Sequence, residues 1–168
     1  MTTVSSVSTI YDLVGKLQSR DPKERRIAMY KIAGIGKPAE CVLCQFANHP
    51  DADVRHDVAD LLGSIGDPAA IPVLIDMLED SAYAVRWRAS ESLVKMKREA
   101  VRPLLEELKK KERFSSRFFL EGARHVFRKL HEQGHIGPSA VILDAFDAVA
   151  SDVAIPMTAA NIINSLNF

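Results

Sequence analysis

The chain has 168 residues, enough for one domain with a buried core and short for two. Apolar residues make up 47%, which excludes a disordered chain, and only two cysteines, Cys41 and Cys44, exclude a disulfide framework. The net charge is zero, yet residues 95–131 carry 12 basic and 5 acidic side chains between two acidic flanks, so an affinity for polyanions would have to reside there. The first twenty residues lack the apolar run of a signal peptide, and no window is long enough to span a bilayer; a cytoplasmic protein without membrane contact is expected.

In chain order, residues 8–19 come first. Ile10, Leu13, Val14 and Leu17 fall on one helical stripe, a lone second helix that caps the front. Residues 21–50, 51–80 and 81–111 are three copies of a unit of about thirty residues. Val54, Val58, Leu62 and Ile65 recur as Val85, Ala89, Leu93 and Met96. Ile71, Leu74, Ile75 and Leu78 recur as Val101, Leu104, Leu105 and Leu108. Each set has a period near 3.6, so one copy is two amphipathic helices. Arg25, Arg55 and Arg86 align across the copies, as do GIGKPA (34–39) and SIGDPA (64–69). In that hexapeptide Gly36 and Gly66 suit the left-handed end of the first helix, Asp67 suits an N-cap, and Pro68 suits the next first turn.

Residues 112–168 remain helical but leave the pattern. Phe119, Ala123, Val126, Phe127 and Leu130 predict one inward face, and Val141, Ala145, Phe146 and Val149 a second. A last helix starting at Pro156 carries Ala159, Ile162, Ile163 and Leu166. A degenerate fourth pair and a closing helix are expected, because the exposed end of a repeat stack must be covered.

The pattern D-x-x-V-R-x-x-A-x-x-L-x-x-I-G-D-x-x-A-I-P-x-L, nearly complete in 51–80, resembles the HEAT-like repeat of the phycobilisome-lyase type. About 100 of the 168 residues carry it. The resemblance implies an all-α right-handed α-solenoid of helix pairs, a single domain over 1–168. It also implies that the second helices line a concave surface where partners dock. The outward positions expected on those helices are Val42, Phe46, Val73, Asp76, Met77, Arg102 and Glu106, a mixture of apolar and charged groups suited to another protein. The expected function is a non-enzymatic interaction module, with no catalytic residue, cofactor or metal. Two alternatives stand beside it: a bilin lyase or chromophore-handling subunit, and a DNA, RNA or other polyanion binder acting through residues 95–129.

Four patterns suggest chemistry. His131-Glu132-Gln133-Gly134-His135 matches the zinc motif H-E-x-x-H, which needs both His on one continuous helix. Gly134 and the following Gly137-Pro138 end the helix there, and no third ligand follows, so a helix end is expected. Cys41-x-x-Cys44 could be a redox pair, but the alignment puts both at inward positions, where cysteines act as small hydrophobes. The alternative, a slip of one residue, puts Leu43 and Ala47 in the core instead. HEAT-repeat hydroxylases also resemble this array, and that resemblance implies a di-iron centre held by His-Glu pairs after the Val-Arg. The matching positions are Arg26-Ile27, His56-Asp57 and Trp87-Arg88; one pair in three could ligate, so that activity is not expected. The basic side chains from Lys95 to Lys129 are interleaved with Glu99, Glu106, Glu107 and Glu112, as on a solvated face.

Overall fold

The computed structural model describes residues 3–110, 116–148 and 151–165. Among these there is no strand. The described residues form ten α-helices, in order α1 (Thr3–Gly15), α2 (Pro22–Ile35), α3 (Glu40–Gln45), α4 (Ala52–Ile65), α5 (Ile71–Asp76), α6 (Tyr83–Lys95), α7 (Val101–Leu108), α8 (Arg117–Glu132), α9 (Val141–Asp147) and α10 (Ser151–Ser165). Long first helices (α2, α4, α6, α8) alternate with short second helices (α3, α5, α7, α9). α4 packs along α6 and α6 along α8, while α10 packs on α9 and returns against α7. The all-helical solenoid expected from the repeat is what the chain forms.

Local chemistry explains the boundaries. Asp21 and Asp51 cap α2 and α4, accepting from the N–H of Lys23 and Asp53. Gly36 and Gly66 end those helices at φ 70° and 71°. Asp67 accepts from Ala69 N–H at 3.1 Å ahead of Pro68, the N-cap expected of it. In the third copy the aligned position is Lys97, which adopts φ 54° without being a glycine. A side chain there costs roughly 1 kcal/mol against the following carbonyl. Lys97→Gly is therefore expected to stabilise the protein by about 0.5–1 kcal/mol, read as a raised urea midpoint; a lowered midpoint would contradict this account.

The aligned arginines share one task. Arg25 donates to Ser19 O at 2.9 Å, Arg55 to His49 O at 2.7 Å, and Arg86 to Asp80 O at 2.7 Å, so each clamps the turn before its own helix. Arg55 also forks onto Asp80 through Nε and a terminal nitrogen, at 2.6 and 2.7 Å, with both side chains about nine-tenths buried. Burial alone would raise the Asp80 carboxyl. The Arg55 fork, the Ala82 N–H and the nearby Arg86 outweigh it and hold Asp80 below the ordinary carboxylate value. α4 and α6 approach each other closely at Gly63. A Cβ on Gly63 would lie 2.4 Å from that of Ser92, whose buried hydroxyl donates to Ala59 O at 2.8 Å.

Several expected faces are shifted. Cys41 is exposed and Cys44 half-buried, while Val42, Leu43 and Ala47 are core: the one-residue slip is what forms. The stripe with Val42 and Leu43 removes more apolar surface from water than two thiols would. In α9 Val141 is exposed and Ile142 buried. Pro156 lies inside α10, not at its start, because buried Ile155 draws the preceding turn onto the stack. The inward faces of α1, α6, α7 and α8 match expectation residue by residue. Val149 and Leu166 lie outside the described residues.

Candidate functional site

Of the seven positions expected to face outward on the second helices, Asp76 and Arg102 are exposed, and Phe46, Val73 and Glu106 are partly buried. Val42 and Met77 are corrected: each is only 4% exposed and belongs to the core. Val42 is buried by the slip in α3. Met77 begins a 3₁₀ turn, Met77–Glu79, that directly follows α5. The 3₁₀ turn advances about 20° more per residue than an α-helix and swings its side chain inward. Phe46 packs on the core with its ring 6.1 Å from those of Tyr11 and His49.

Between α3 and α5 this face opens a cleft of about 260 Å³. Asp76, Glu79 and Asp80 line it with Cys44, Asn48 and Val73, and none of the described basic side chains does. Asp80 is neutralised by Arg55 from behind. Cys44 is no redox group there: burial and its hydrogen bond to Glu40 push the thiol up to about 12.

The first-helix face carries the positions of the Val-Arg motif. His56 Nε2 lies 3.2 Å from Arg88 Nε and His56 Nδ1 lies 3.3 Å from Asp57 Oδ1. Arg88 can only donate, so Nε2 accepts and Nδ1–H points to Asp57. Arg88 also reaches Asp60 at 3.4 Å. A guanidinium thus occupies the lone pair a metal would need. Burial raises the Asp57 carboxyl, with the bond to His56 opposing. His131 and His135 are separated by the helix end that was expected: α8 stops at Glu132, Gly134 takes φ 72°, and His135 N–H closes the turn on Leu130 O at 2.8 Å. Among the described residues no three His, Cys, Asp or Glu gather to hold a metal ion. The described residues do not fit a di-iron centre.

Farther along this face, between α6 and α8, lies a second cleft lined by Tyr83, Arg86, Trp87, Phe118, His125 and Arg128. Sequence reading missed it, because its walls come from positions more than thirty residues apart. Much of the basic segment is matched by acids: Lys95 by Asp60, Lys109 by Glu106, Lys110 by Glu107, Arg117 by Glu121, Arg124 by Asp147 and Lys129 by Glu132. Lys111 and Arg113 lie outside the described residues.

The sequence profile of the HEAT repeats matches residues 10–83 and 41–117. The chain belongs to the HEAT-repeat family. Within it, the chain is 34% identical over 85 residues to the deoxyhypusine hydroxylase of Eremothecium gossypii, covering 49% of this chain and 26% of that protein. It is 30% identical over 111 residues to that of Candida albicans, covering 63% and 35%. The solved structure of human deoxyhypusine hydroxylase in complex with glycerol superposes with a TM-score of 0.55 at 25% identity, over 79% of this chain and 48% of that one. This HEAT array thus spans about a quarter to a third of those two curated relatives and about half of the solved one. These relatives correct the expectation of a non-enzymatic interaction module, and with it the bilin-lyase and polyanion alternatives: the proteins it resembles are named as enzymes, and as hydroxylases. No helix among the described residues is long and apolar enough to cross a membrane.

Proposed function

We propose that the chain is a substrate-holding portion of a deoxyhypusine-hydroxylase-type enzyme, working on a cationic side chain presented by another protein. The observation that carries this reading is the identity to two deoxyhypusine hydroxylases, beside which the cleft between α3 and α5 brings Asp76, Glu79 and Asp80 together with Val73. Deoxyhypusine is an amine-bearing derivative of lysine, and an acidic cleft with an apolar wall suits a long chain ending in positive charge. The oxidising centre of such a reaction lies outside the described residues of this chain. The repeat is read, more finely, as the phycobilisome-lyase type from its length of about thirty residues; this concerns the repeat, not a chromophore.

The test is binding of a deoxyhypusine-bearing peptide, with the same peptide carrying plain lysine beside it. The modified peptide is expected to bind at least about tenfold more tightly, a difference of about 1.4 kcal/mol. Charge reversal at Asp76 and Glu79 together should abolish that preference. Equal binding of both peptides, or a preference untouched by the reversal, would remove the proposal.

A further inference from the structure

The cleft between α6 and α8 has a different chemistry from the acidic one, and it takes a different kind of guest. Its volume is about 360 Å³, within the range of small-molecule sites. Three of its aromatic side chains stand open to water: Tyr83 at 68%, Trp87 at 44% and Phe118 at 46% exposure. Tyr83 and Trp87 are one turn apart on α6, with ring planes only 23° from parallel and centroids 6.4 Å apart. The His125 ring backs Trp87 at 4.7 Å and is itself held by Glu91 at 2.7 Å. Together they form a wall of ring faces open to the cleft.

The charges in this cleft do not cancel. Glu121 is taken by Arg117, and Arg124 by Asp147. Arg86 sits with its guanidinium carbon 3.9 Å from the Phe118 ring centre, anchored by the carbonyl oxygens of Asp80 and Ser81 and by no carboxylate of its own. Arg128 lines the same cleft and forms no ion pair with any described residue. Two guanidiniums beside exposed aromatic faces attract a group that is both planar and negative. Guanidinium geometry matches phosphate oxygens, and ring faces accept a heteroaromatic ring.

We propose that the cleft between α6 and α8 binds a planar aromatic anion of nucleotide size, its ring on Trp87 and Tyr83 and its phosphate between Arg86 and Arg128. The site is independent of the hydroxylase reading, since it shares no lining residue with the acidic cleft.

Trp87 is the sole tryptophan of the chain, so its fluorescence reports this cleft directly. Adenosine monophosphate is expected to quench it saturably at submillimolar concentration. Adenosine and inorganic phosphate should each bind at least about tenfold more weakly, because each offers half of the recognition. Arg128→Ala should weaken adenosine monophosphate about tenfold while leaving the melting temperature unchanged, and raising the salt should weaken it further. Equilibrium dialysis with Trp87→Phe, which keeps a ring face, should show binding retained. The proposal is overturned if quenching does not saturate, if adenosine matches its monophosphate, or if Arg128→Ala binds like the parent. Binding of a single-stranded oligonucleotide without the mononucleotide would also overturn it.

Discussion

Arg55→Ala is expected to cost about 3 kcal/mol of folding stability, the low end of what breaking a buried ion pair removes. The substitution deletes a two-pronged bond to Asp80 and the clamp on His49 O, and among the described residues it leaves the Asp80 carboxylate, about nine-tenths buried, with the Ala82 N–H and the nearby Arg86 charge to offset it. Arg25→Ala removes the equivalent carbonyl clamp with no carboxylate attached, so it should cost about 1 kcal/mol. Urea melts of the two variants separate these contributions, and equal costs would deny the pair its role. The pH dependence has a definite sign. The folded Asp80 carboxyl titrates below its unfolded value near 3.9, so the pair's stabilisation is complete above that value. It is lost as pH falls through the lower folded value. The gap between Arg55→Ala and the parent should therefore narrow in strong acid.

The second large effect lies in the middle of the stack. Leu74 is fully buried in α5, and Leu74→Ala is expected to cost about 2–5 kcal/mol, the range for large-to-small core changes. Asp76, two residues on and exposed, should change stability by no more than about 0.5 kcal/mol when replaced with alanine. Chemical denaturation of both variants checks the helix face directly, and similar costs would place Leu74 outside the core.

How far the sequence could be read depends on helix length. α4, α6 and α8 hold three or four turns, so a period of 3.6 leaves one apolar stripe, and Val54, Val58 and Leu62 or Phe119, Ala123 and Phe127 are core as expected. α3 and α9 have six and seven residues and each follows a 3₁₀ turn, Lys37–Ala39 and Gly137–Ala140. Two stripes one residue apart then fit equally well, and only packing selects Leu43 over Cys41 or Ile142 over Val141. α5 is as short, but Ile71, Leu74, Ile75 and Leu78 offer a single stripe, and it was legible. The recurring arginines could be aligned but not assigned a task, because their acceptors are backbone carbonyls that any sequence supplies. Both clefts are assembled by neighbouring copies, and a stripe pattern within one helix carries no trace of such a juxtaposition. The departures at Trp87 and Arg88 were visible in sequence, but the Arg88 hydrogen bond to His56 Nε2 joins two copies and leaves no mark on either stripe.

The Arg55–Asp80 fork also determines how the array comes apart. It ties the helix α4 of one copy to the turn that launches α6 in the next, so opening either one releases both. Arg25 clamps the Ser19 carbonyl and forms no two-pronged carboxylate pair with a described residue, and the position matching Asp80 one copy earlier is Pro50, which offers no carboxylate. Nearest-neighbour coupling is therefore uneven along the chain. The amide protons of α4, α5 and α6 should exchange with solvent as one slow cooperative block, and those of α1 to α3 should escape earlier through a smaller opening that leaves the rest of the stack intact.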